Sequence, residues 1–329
     1  MSIKLRVFIA LILLIKLPVA QAQWFQFSST AMTTKLDLKF WLDDEHKANT
    51  ISQLVFEEFL RVENIMTRYG DTSELSMLNK LAGKKSIQVS DELFGVLNKA
   101  LIVSELSGGA FDITFASVGY LYDFRNLQQP KESEVFKYVA AVDYRHVTLQ
   151  KENQTVRFKH KDVLIDLGGI AKGYAVDRGI EILRDNGIEY ARLSAGGDMR
   201  LLGDKKGKPW IVGIKNPRVE KNNNEHVAVL PLSDIAISTS GDYERFFIND
   251  KGKRVHHILS PKTGYSANGV QSVTILGPDS VTSDGLSTAV FVLGVKKGIT
   301  LVESLPGIDV VIIDAMHKVH FSEGLMPPQ

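Results

Sequence analysis

The stretch SVTILGPDSVTSDGLSTAVFVLG runs from Ser272 to Gly294 and contains the change of pattern on which the fold depends. Its first residues favour a β-strand, Gly277 and the proline after it favour a turn, and the remainder favours an apolar helix. Two oxygen-bearing side chains, Asp284 and Thr288, interrupt this helix. Because they stand four residues apart, they are expected on one face of the helix, one turn apart.

Strand and helix patterns follow one another along the whole chain. TKLDLKFWL alternates as a strand does, and apolar residues recur at helical spacing from Ala48 to Tyr69. A second long helix is predicted to begin at a Ser90 cap and to end at Gly108 and Gly109, while DVLIDLGGIAKGYAVDRGIEILRDNG predicts a strand that leads into a helix. Short strands dominate from YARLSAGG to HHILS. Without a regular βαβ alternation, the sequence predicts an α+β fold of mixed, mostly antiparallel sheets with packed helices.

Composition limits the class of protein. The chain has 329 residues, of which 44% are hydrophobic, which is enough for a sizeable core in one large domain or in two halves. The formal net charge of +1 argues against nucleic acid as a partner. The chain contains no cysteine, which excludes disulfides, thiolate catalysis, zinc sites built on cysteine and a lipidated N-terminal cysteine.

The first residues, MSIKLRVFIALILLIKLPVAQAQ, have the features of a signal peptide. A basic start precedes the apolar run Val7–Leu17, and Ala20–Ala22 has the small-x-small pattern of a cleavage site. The alternative is an uncleaved membrane anchor, but the apolar run is shorter than the roughly 20 residues that span a bilayer. We therefore predict a signal peptide over residues 1–22 and a soluble exported domain over residues 23–329.

The segment IDLGGIAKGYAVD places a carboxylate, two glycines and a lysine where a strand is predicted to meet a helix. Gly168 and Gly169 leave room for close approach of the backbone to a ligand. Free amides at a helix N-terminus suit a phosphate, and Lys172 adds a point charge. In the alternative, Asp166 only caps the helix and the glycines form a tight turn. The residues themselves leave both interpretations open.

Asp284 and Thr288 offer hard oxygen atoms one helical turn apart. With backbone carbonyls, a ligand phosphate and water, they could complete a Mg²⁺ site. The alternative is that the Thr288 hydroxyl bonds to the helix backbone and that the helix dipole favours Asp284 near the N-terminus.

Two further motifs are candidates for contact with a ligand. GGAFDIT places Phe111 and Asp112 after two glycines, where an aromatic ring could stack on a planar group. Its alternative is a helix C-cap followed by an ordinary strand. HHILSPKTG predicts His256 and His257 on opposite faces of a strand, so that only one of them can face a cleft. The polar turn STSGDYERFF is a third candidate for a ligand-binding loop.

Taken in order, eight motifs resemble the FAD:protein FMN transferase family, the ApbE-type flavin transferases. They are TAMTTKLDL, MTRYGDTSELSMLN, GGAFDIT, DLGGIAKGYAVD, LSAGGDMRLLG, ISTSGDYERFF, HHILSPKTG and TSDGLSTAVFVLG. The resemblance implies an ApbE-like fold with the active site in a cleft between two halves, and it makes residues 23–329 a flavin transferase domain. One departure is Thr33, which stands where the family usually has glycine.

The resemblance also implies the chemistry. Enzymes of this family take FAD, attach FMN through a phosphoester bond to a threonine or serine hydroxyl of another protein, and release AMP. Such attack on a pyrophosphate needs charge neutralisation, an activated hydroxyl and a phosphate cradle. The implied Mg²⁺ ligands are Gly169, Val281, Asp284 and Thr288. The implied FAD contacts are Met32, Tyr69, Ala110, Phe111, Asp112, Asp166, Lys172, His256 and His257. The implied catalytic residues are Asp284, as proton acceptor, and His257, at the phosphate end.

Partners and rival functions follow from the same resemblance. The implied acceptors are flavin-bearing subunits of membrane redox complexes with a motif similar to D-x-x-[ST]-G-A-[ST]. The absence of cysteine favours a periplasmic form without a lipid anchor. Two rivals stay open: an FAD pyrophosphatase, in which water replaces the acceptor hydroxyl, and an FAD-binding storage protein, which would need no metal-binding face.

Overall fold

The computed structural model describes residues 22–218 and 225–326, so the predicted signal peptide lies, apart from its last residue, outside the described residues. The helices in this part of the chain are α1 (Glu45–Met66), α2 (Glu74–Leu81), α3 (Asp91–Leu106), α4 (Ala116–Gly119), α5 (Glu132–Val139), α6 (Ala171–Asp185), α7 (Ser280–Leu293) and α8 (Val295–Glu303). The strands are β1 (Gln23–Ala31), β2 (Thr34–Leu42), β3 (Ile87–Gln88), β4 (Val147–Gln150), β5 (Thr155–Phe158), β6 (Ala191–Ala195), β7 (Asp198–Leu202), β8 (Trp210–Lys215), β9 (His226–Leu232), β10 (Ala236–Gly241), β11 (Phe246–Ile248), β12 (Arg254–His256), β13 (Val270–Gly277), β14 (Asp309–Asp314) and β15 (Val319–Phe321). Of these helices, none is both long enough and apolar enough to span a membrane.

An eight-stranded sheet forms the centre of the fold, in the order β1-β2-β6-β7-β10-β13-β14-β15. Each pair of neighbouring strands in it is antiparallel. Three smaller sheets, β3-β5-β4, β8-β9 and β11-β12, are antiparallel as well. The predicted α+β fold with mostly antiparallel sheets is confirmed.

Helices α1, α6 and α7 pack on one another over one face of this sheet. The alternation in β2 decides which face they cover, because side chains two residues apart point to the same side of a strand. Leu36, Leu38 and Phe40 are fully buried and belong to the same apolar core as Val55 and Phe59 of α1. The opposite face of the sheet carries the β8-β9 hairpin over a small cluster of its own.

Gly173 fixes the crossing of α6 and α7. A Cβ atom added to it would lie 2.2 Å from the carbonyl oxygen of Ser280 and 2.8 Å from the Cβ of Asp284. A glycine is therefore required for the first turns of the two helices to approach this closely. The approach brings Lys172, on the first turn of α6, beside Asp284 on α7.

A second apolar cluster forms a smaller body beside the main core. Its members come from α4 and the loop after it, from α5, and from the β11-β12 hairpin and the loop after that hairpin; they are Val118, Tyr122, Val135, Phe247, Val255 and Leu259. The two bodies are unequal in size, and the boundary between them is where the functional cleft lies.

The prediction of a strand within DVLIDLGG is wrong. The residues around Ile165 form no regular element, because side chains rather than a neighbouring strand satisfy their backbone. The Ile165 amide donates to Asn79 Oδ1 at 2.8 Å, and the Tyr120 hydroxyl donates to the Ile165 carbonyl at 2.8 Å. Because the amide and the carbonyl of Ile165 both have side-chain partners, neither needs a hydrogen bond to a neighbouring strand.

Two predicted boundaries also shift. The helix expected from Ala48 to Tyr69 begins earlier, after an Asp44 cap that accepts from the Lys47 amide, and it ends at Met66. The strand expected at HHILS ends at His256, so the following histidine lies beyond it.

Candidate active site

A cavity of about 470 Å³ lies between the main core and the second cluster. Its wall includes Phe111 and Ile258 from the main core, and Tyr122 and Leu259 from the smaller body. The volume is within the range of roughly 300–1,000 Å³ that is usual for small-molecule sites. This cavity is the cleft that the sequence predicted.

Most of the predicted site residues line this cavity, although they come from distant parts of the chain. They are Met32, Tyr69, Ala110, Phe111, Asp112, Asp166, Gly169, Lys172, His257, Asp284 and Thr288. The structure does not bring His256 and Val281 to the cavity wall. His256 is buried, with Nε2 3.0 Å from the Ala267 carbonyl oxygen and its ring edge-on to Phe291. The Val281 amide donates to the Asp177 carboxylate at 2.8 Å.

A buried set of three charges occupies one wall. Lys172 Nζ lies 2.5 Å from Asp198 Oδ2 and 3.5 Å from Asp284 Oδ2. Burial lowers the pKa of Lys172, but the two carboxylates outweigh burial and hold that pKa above its ordinary value. Burial raises the pKa of Asp284, and repulsion from Asp198 raises it further. Lysine is therefore charged at neutral pH, while one ammonium cannot balance both buried carboxylates.

The Asp284 carboxylate is only partly satisfied by protein groups. Its Oδ2 accepts from the Gly173 amide at 3.0 Å and from the Lys172 ammonium. In the described part of the chain no residue bonds to Oδ1. A buried carboxylate with a free oxygen and an elevated pKa is an environment that an additional cation would stabilise.

The hydroxyl of Thr288 lies close to that carboxylate along the same helix face. It is 3.2 Å from Ser240 Oγ, which in turn is 2.7 Å from Ser287 Oγ. The alternative in which the Thr288 hydroxyl bonds to the helix backbone is therefore not observed. A Cβ added to Gly169 would be 3.4 Å from Thr288 Oγ1, so the glycine leaves a gap between its own backbone and this hydroxyl.

These groups fit a hard divalent cation. Within residues 22–218 and 225–326, no group of three or more histidine and carboxylate side chains is arranged to hold a metal. A cation here would instead be held by one carboxylate, the Thr288 hydroxyl and backbone oxygens such as that of Gly169, with a ligand phosphate and water. All of these donors are oxygen atoms, which is the donor set that Mg²⁺ prefers.

Asp166 does not cap the helix that follows it. The first residue before α6 is Ile170, and no side chain caps that helix. Asp166 Oδ1 accepts from the Gly168 amide at 2.7 Å, which fixes the tight turn, and Oδ2 is 3.7 Å from Arg68 Nε. Both interpretations of this motif hold in part, because the glycines form a turn and the turn lines the cavity.

GGAFDIT forms a turn followed by a short 3₁₀ helix, Ile113–Phe115, and not an ordinary strand. The Asp112 carboxylate accepts from the amides of Thr114 at 2.8 Å and Tyr144 at 2.7 Å, so its oxygens are already engaged. Phe111 is 4% exposed and belongs to the main core as well as to the cavity wall. A ligand would therefore meet the edge of a core residue here.

Tyr69 is the exposed aromatic group at the cavity mouth, at 65% exposure. The guanidinium carbon of Arg68 lies 4.5 Å from the centre of the Tyr69 ring and 4.2 Å from that of Tyr120. Arg68 Nη2 also donates to the Tyr69 hydroxyl at 2.8 Å, so the cation holds this ring at the mouth.

His257 lies at the cavity beside Arg245. Its Nδ1 is 3.3 Å from the Arg245 carbonyl oxygen. Burial, the Arg245 charge and the neighbouring His256 lower the pKa of His257 to about 3. The imidazole is therefore neutral at physiological pH.

The β1-β2 turn closes one side of the mouth. Met32 and Thr33 both have positive φ, 51° and 59°, as a two-residue type I′ hairpin turn requires. For a β-branched residue such as Thr33 this conformation is strained, which accounts for the usual glycine. The Thr33 hydroxyl accepts from Arg245 Nη2 at 2.7 Å, and the Met32 amide donates to Glu63 Oε2 at 2.9 Å.

Sequence reasoning missed several residues of this site. Asp198 stands in LSAGGDMRLLG after two glycines, as Asp166 stands before two, and that likeness was its only signal. Ser240 and Arg245 lie in the polar turn that was predicted as a ligand-binding loop, but nothing in the pattern distinguished them from their neighbours.

An α+β fold with an antiparallel sheet covered by helices thus holds a cleft that gathers a lysine, two buried carboxylates and a hydroxyl, which suits an anionic ligand with its counter-ion. Comparison with known proteins makes this specific. The model of the ApbE family matches residues 32–312. The chain is 32% identical to FAD:protein FMN transferase of Treponema pallidum, over 83% of this chain and 79% of that protein. It is 30% identical to a Klebsiella pneumoniae protein of the same name, over 88% and 89%.

Solved structures agree with these relatives. The ApbE protein of Thermotoga maritima superposes with a TM-score of 0.83 at 33% identity, covering 92% of this chain and 98% of that one. The flavin transferase ApbE of Vibrio cholerae superposes with a TM-score of 0.81 at 29% identity, with the same coverage. The chain belongs to the ApbE family.

Proposed function

We propose that this chain is an FAD:protein FMN transferase. The observation that carries the proposal is the Lys172, Asp198 and Asp284 set beside Thr288, placed at one end of a cleft whose mouth is aromatic. A flavin suits the aromatic end and a pyrophosphate suits the charged end. The names of the relatives support the same reaction.

In the proposed reaction, a threonine or serine hydroxyl of an acceptor protein attacks the phosphorus on the FMN side of the FAD pyrophosphate. A new phosphoester bond forms, the bond to the AMP phosphate breaks, and AMP leaves with the bridging oxygen. The hydroxyl proton passes to a base of the enzyme. FMN is thereby attached to the acceptor without any change of redox state.

We further propose that Mg²⁺ binds at Asp284 and Thr288, with the Gly169 carbonyl. When bound, it would withdraw negative charge from the pyrophosphate. Lys172, held by Asp198, presents a fixed positive charge to the same phosphates. Tyr69 and the rim of Phe111 hold the flat part of FAD, and the neutral His257 orients the phosphate.

For the proton acceptor we propose Asp284. The low pKa of His257 makes its imidazole a weak base, whereas Asp284 Oδ1 has no protein partner in the described residues. Phosphoryl transfer through a loose transition state does not require a strong base, so a carboxylate suffices.

The proposed setting is the periplasm. It is supported by the signal-peptide features of residues 1–22, and analysis of the mature N-terminus by mass spectrometry should find Gln23 first. The proposed acceptors are subunits of membrane redox complexes with a motif similar to D-x-x-[ST]-G-A-[ST]. An intact Met1 on a soluble cytoplasmic protein would overturn the proposed location.

The rival functions differ in their products. An FAD pyrophosphatase would release AMP and free FMN without an acceptor, and a storage protein would release neither. The decisive experiment incubates the chain with FAD, Mg²⁺ and an acceptor domain, and follows the intact mass of the acceptor and AMP by chromatography. Transfer predicts a gain of one FMN by the acceptor, with equal AMP, and no gain when the acceptor hydroxyl is removed.

Two controls tie the reaction to the site. Asp284→Ala should abolish the mass gain, and EDTA should do the same to the unaltered chain. Full turnover in EDTA would contradict the proposed metal, and AMP release that is independent of the acceptor would favour the pyrophosphatase.

A further inference from the structure

A cluster of basic side chains lies at the end of the β1-β2 hairpin away from the active site. The residues Lys39, Arg192, Lys205, Lys206 and Lys208 line a shallow groove with Pro209, Trp210 and Ile211, and we refer to these eight residues as the basic groove. None of its five cations forms a salt bridge with an acid in the described ranges. Asp37 lies close enough to act on Arg192, and Asp204 belongs to the same loop as the three lysines, so the groove is an excess of positive charge rather than an isolated one. In a chain with a net charge of only +1, this is a concentrated positive patch.

The backbone presents these charges together. Lys39 stands directly opposite Arg192 in the β2-β6 ladder, an arrangement of like charges that weakens a sheet. The loop before β8 is a tight turn in which the Lys205 amide donates to the Lys208 carbonyl at 2.7 Å. Lys206 has a φ of 59° at the tip of this turn. The sheet pairing and the turn thus place basic side chains from two parts of the chain beside one another.

Aromatic rings support the lysine side chains from below. Trp24 packs edge-on against both Trp41 and Trp210, with ring centres 5.4 Å and 5.2 Å apart. Lys39 Nζ lies 5.8 Å from the centre of the Trp24 ring, and Lys206 Nζ lies 5.5 Å from that of Trp41. The ammonium groups of these two lysines therefore lie within cation–π distance of the rings.

Exposed aliphatic side chains adjoin the groove on the β8-β9 hairpin. Ile211 is 68% exposed and Val229 is 57% exposed. In the β8-β9 ladder Ile211 pairs with Pro231 and Gly213 pairs with Val229, so these apolar groups share the outer face of the hairpin. A rim of lysines beside exposed aliphatic groups is typical of surfaces that lie in a membrane interface.

We propose that the basic groove and the outer face of the β8-β9 hairpin dock on an anionic phospholipid membrane. Lipid phosphates would neutralise the five cations, while Ile211 and Val229 enter the headgroup region. An extended acidic peptide would satisfy the charges but would leave the aliphatic groups in water. The mature chain proposed above begins at Gln23, next to Trp24, so its N-terminus lies at this same face.

Docking at this surface leaves the active site open. The β1-β2 turn at the cavity mouth and Trp41 beside the groove are separated by seven residues of strand, or roughly 23 Å at about 3.3 Å per residue. The surface can therefore be altered without touching the residues that bind FAD.

The test uses the chain from residue 23 to 329, so that the apolar N-terminal run cannot contribute. Vesicles of phosphatidylglycerol and phosphatidylcholine are compared with vesicles of phosphatidylcholine alone in a sedimentation assay at low and high salt. We expect binding to the anionic vesicles only, weakened by salt. Equal binding to neutral vesicles, or no binding to either, would overturn the proposal.

The variant K205E/K206E/K208E reverses three charges of the groove. Each basic residue near an anionic surface contributes roughly fivefold to binding, so the variant should bind at least a hundredfold more weakly. Its control, K84E/K85E/K296E, makes the same change of net charge at exposed lysines elsewhere. Equal loss in the two variants would show a general charge effect and refute the docking surface.

Three further measurements keep the outcome clear. AMP release in the presence of FAD, Mg²⁺ and the acceptor domain, without vesicles, should be unchanged in the groove variant, which shows that it is folded. Inorganic phosphate is titrated in a thermal-shift assay. Protection by phosphate together with no vesicle binding would make the groove a small-anion site and overturn the proposal of membrane docking.

I211S should weaken vesicle binding without changing its salt dependence, and an unchanged affinity would refute the aliphatic contact.

Discussion

Replacing Gly173 by alanine tests the helix crossing on which the active site depends. The added Cβ would lie 2.2 Å from the Ser280 carbonyl oxygen, whereas ordinary contacts of this kind are above 3 Å. The start of α7 must therefore move away from α6 by about 1 Å. Overpacking of this kind costs about 1–3 kcal/mol. The same displacement would carry Asp284 away from Lys172, and a misplacement of about 1 Å at a reacting centre can cost about a hundredfold in rate.

The control is Gly95→Ala, which also changes a glycine inside a helix. Gly95 is exposed on α3 and a Cβ added there meets nothing within 4 Å. Alanine should stabilise the helix at this position by up to about 1 kcal/mol. Thermal unfolding followed by circular dichroism should show a lower midpoint for Gly173→Ala and an equal or higher one for Gly95→Ala.

The second readout is the rate of AMP release, measured with FAD and the acceptor domain over a Mg²⁺ titration. Gly173→Ala should need more Mg²⁺ and turn over more slowly even at temperatures where it is fully folded. Wild-type stability together with a wild-type Mg²⁺ requirement would refute the argument, because the structure leaves no space for the added atom unless the helices part.

The remaining predictions concern single side chains of the cleft. Asp198→Asn should raise the Mg²⁺ concentration needed for AMP release, since Lys172 then loses its nearer carboxylate; an unchanged Mg²⁺ titration would contradict this. Tyr69→Ala should weaken FAD binding about tenfold in a fluorescence titration, because stacking on an aromatic ring is worth about 1–3 kcal/mol, and its melting temperature should not change. Phe111→Ala should lose stability as well, by about 3–5 kcal/mol, as a buried core residue does; equal melting temperatures for the two variants would be inconsistent with the packing. Because the pKa of His257 falls from 6.5 to about 3 on folding, the unfolded chain binds a proton between these values that the folded chain does not. Stability should therefore fall as pH drops through this window, and His257→Asn should lose less stability there, as measured by urea unfolding at pH 7 and pH 4.

The same histidine decides between the two candidate bases. With its pKa far below 6.5, His257 stays neutral across the range of a rate assay, so an acidic limb near neutral pH must belong to another group. Under saturating Mg²⁺, His257→Asn should turn over slowly but keep the acidic limb of the unaltered chain. Disappearance of a limb near the usual histidine pKa of about 6.5 would assign the base to His257 instead.

The sequence predicted elements whose pattern is local. The alternation of β2 and the apolar helix with Asp284 and Thr288 one turn apart were both recovered, because period and spacing are properties of the chain itself. The segment around Ile165 was predicted wrongly because its structure depends on residues that are distant in the chain. Its apolar run indicates burial, but whether a buried segment pairs in a sheet depends on which partners surround it, and here those partners are Asn79 and Tyr120.

In the candidate site, too, local motifs could be recognised from the sequence, whereas contacts between distant residues could not. Motif resemblance indicated most of the residues that line the cavity, since each lies in a recognisable stretch. It could not indicate that Asp198 holds Lys172, because that contact joins α6 to a strand 26 residues later in the chain. It also included His256 among the FAD contacts, although strand alternation allowed only one of the two histidines to face the cleft, and the structure places His256 in the core.

The net charge of the buried set Lys172, Asp198 and Asp284 explains why two carboxylates are present. Lys172 alone against Asp284 would form a neutral pair with no reason to bind a divalent cation. The addition of Asp198, which holds the ammonium at 2.5 Å, leaves the set with one net negative charge and leaves Asp284 Oδ1 without a protein partner in the described residues. A divalent cation bound as proposed would convert the wall from negative to positive at the place where a pyrophosphate would lie. On this proposal the second carboxylate would make anion binding depend on the metal. The Mg²⁺ requirement of Asp198→Asn therefore distinguishes a purely structural ion pair from one that takes part in metal binding.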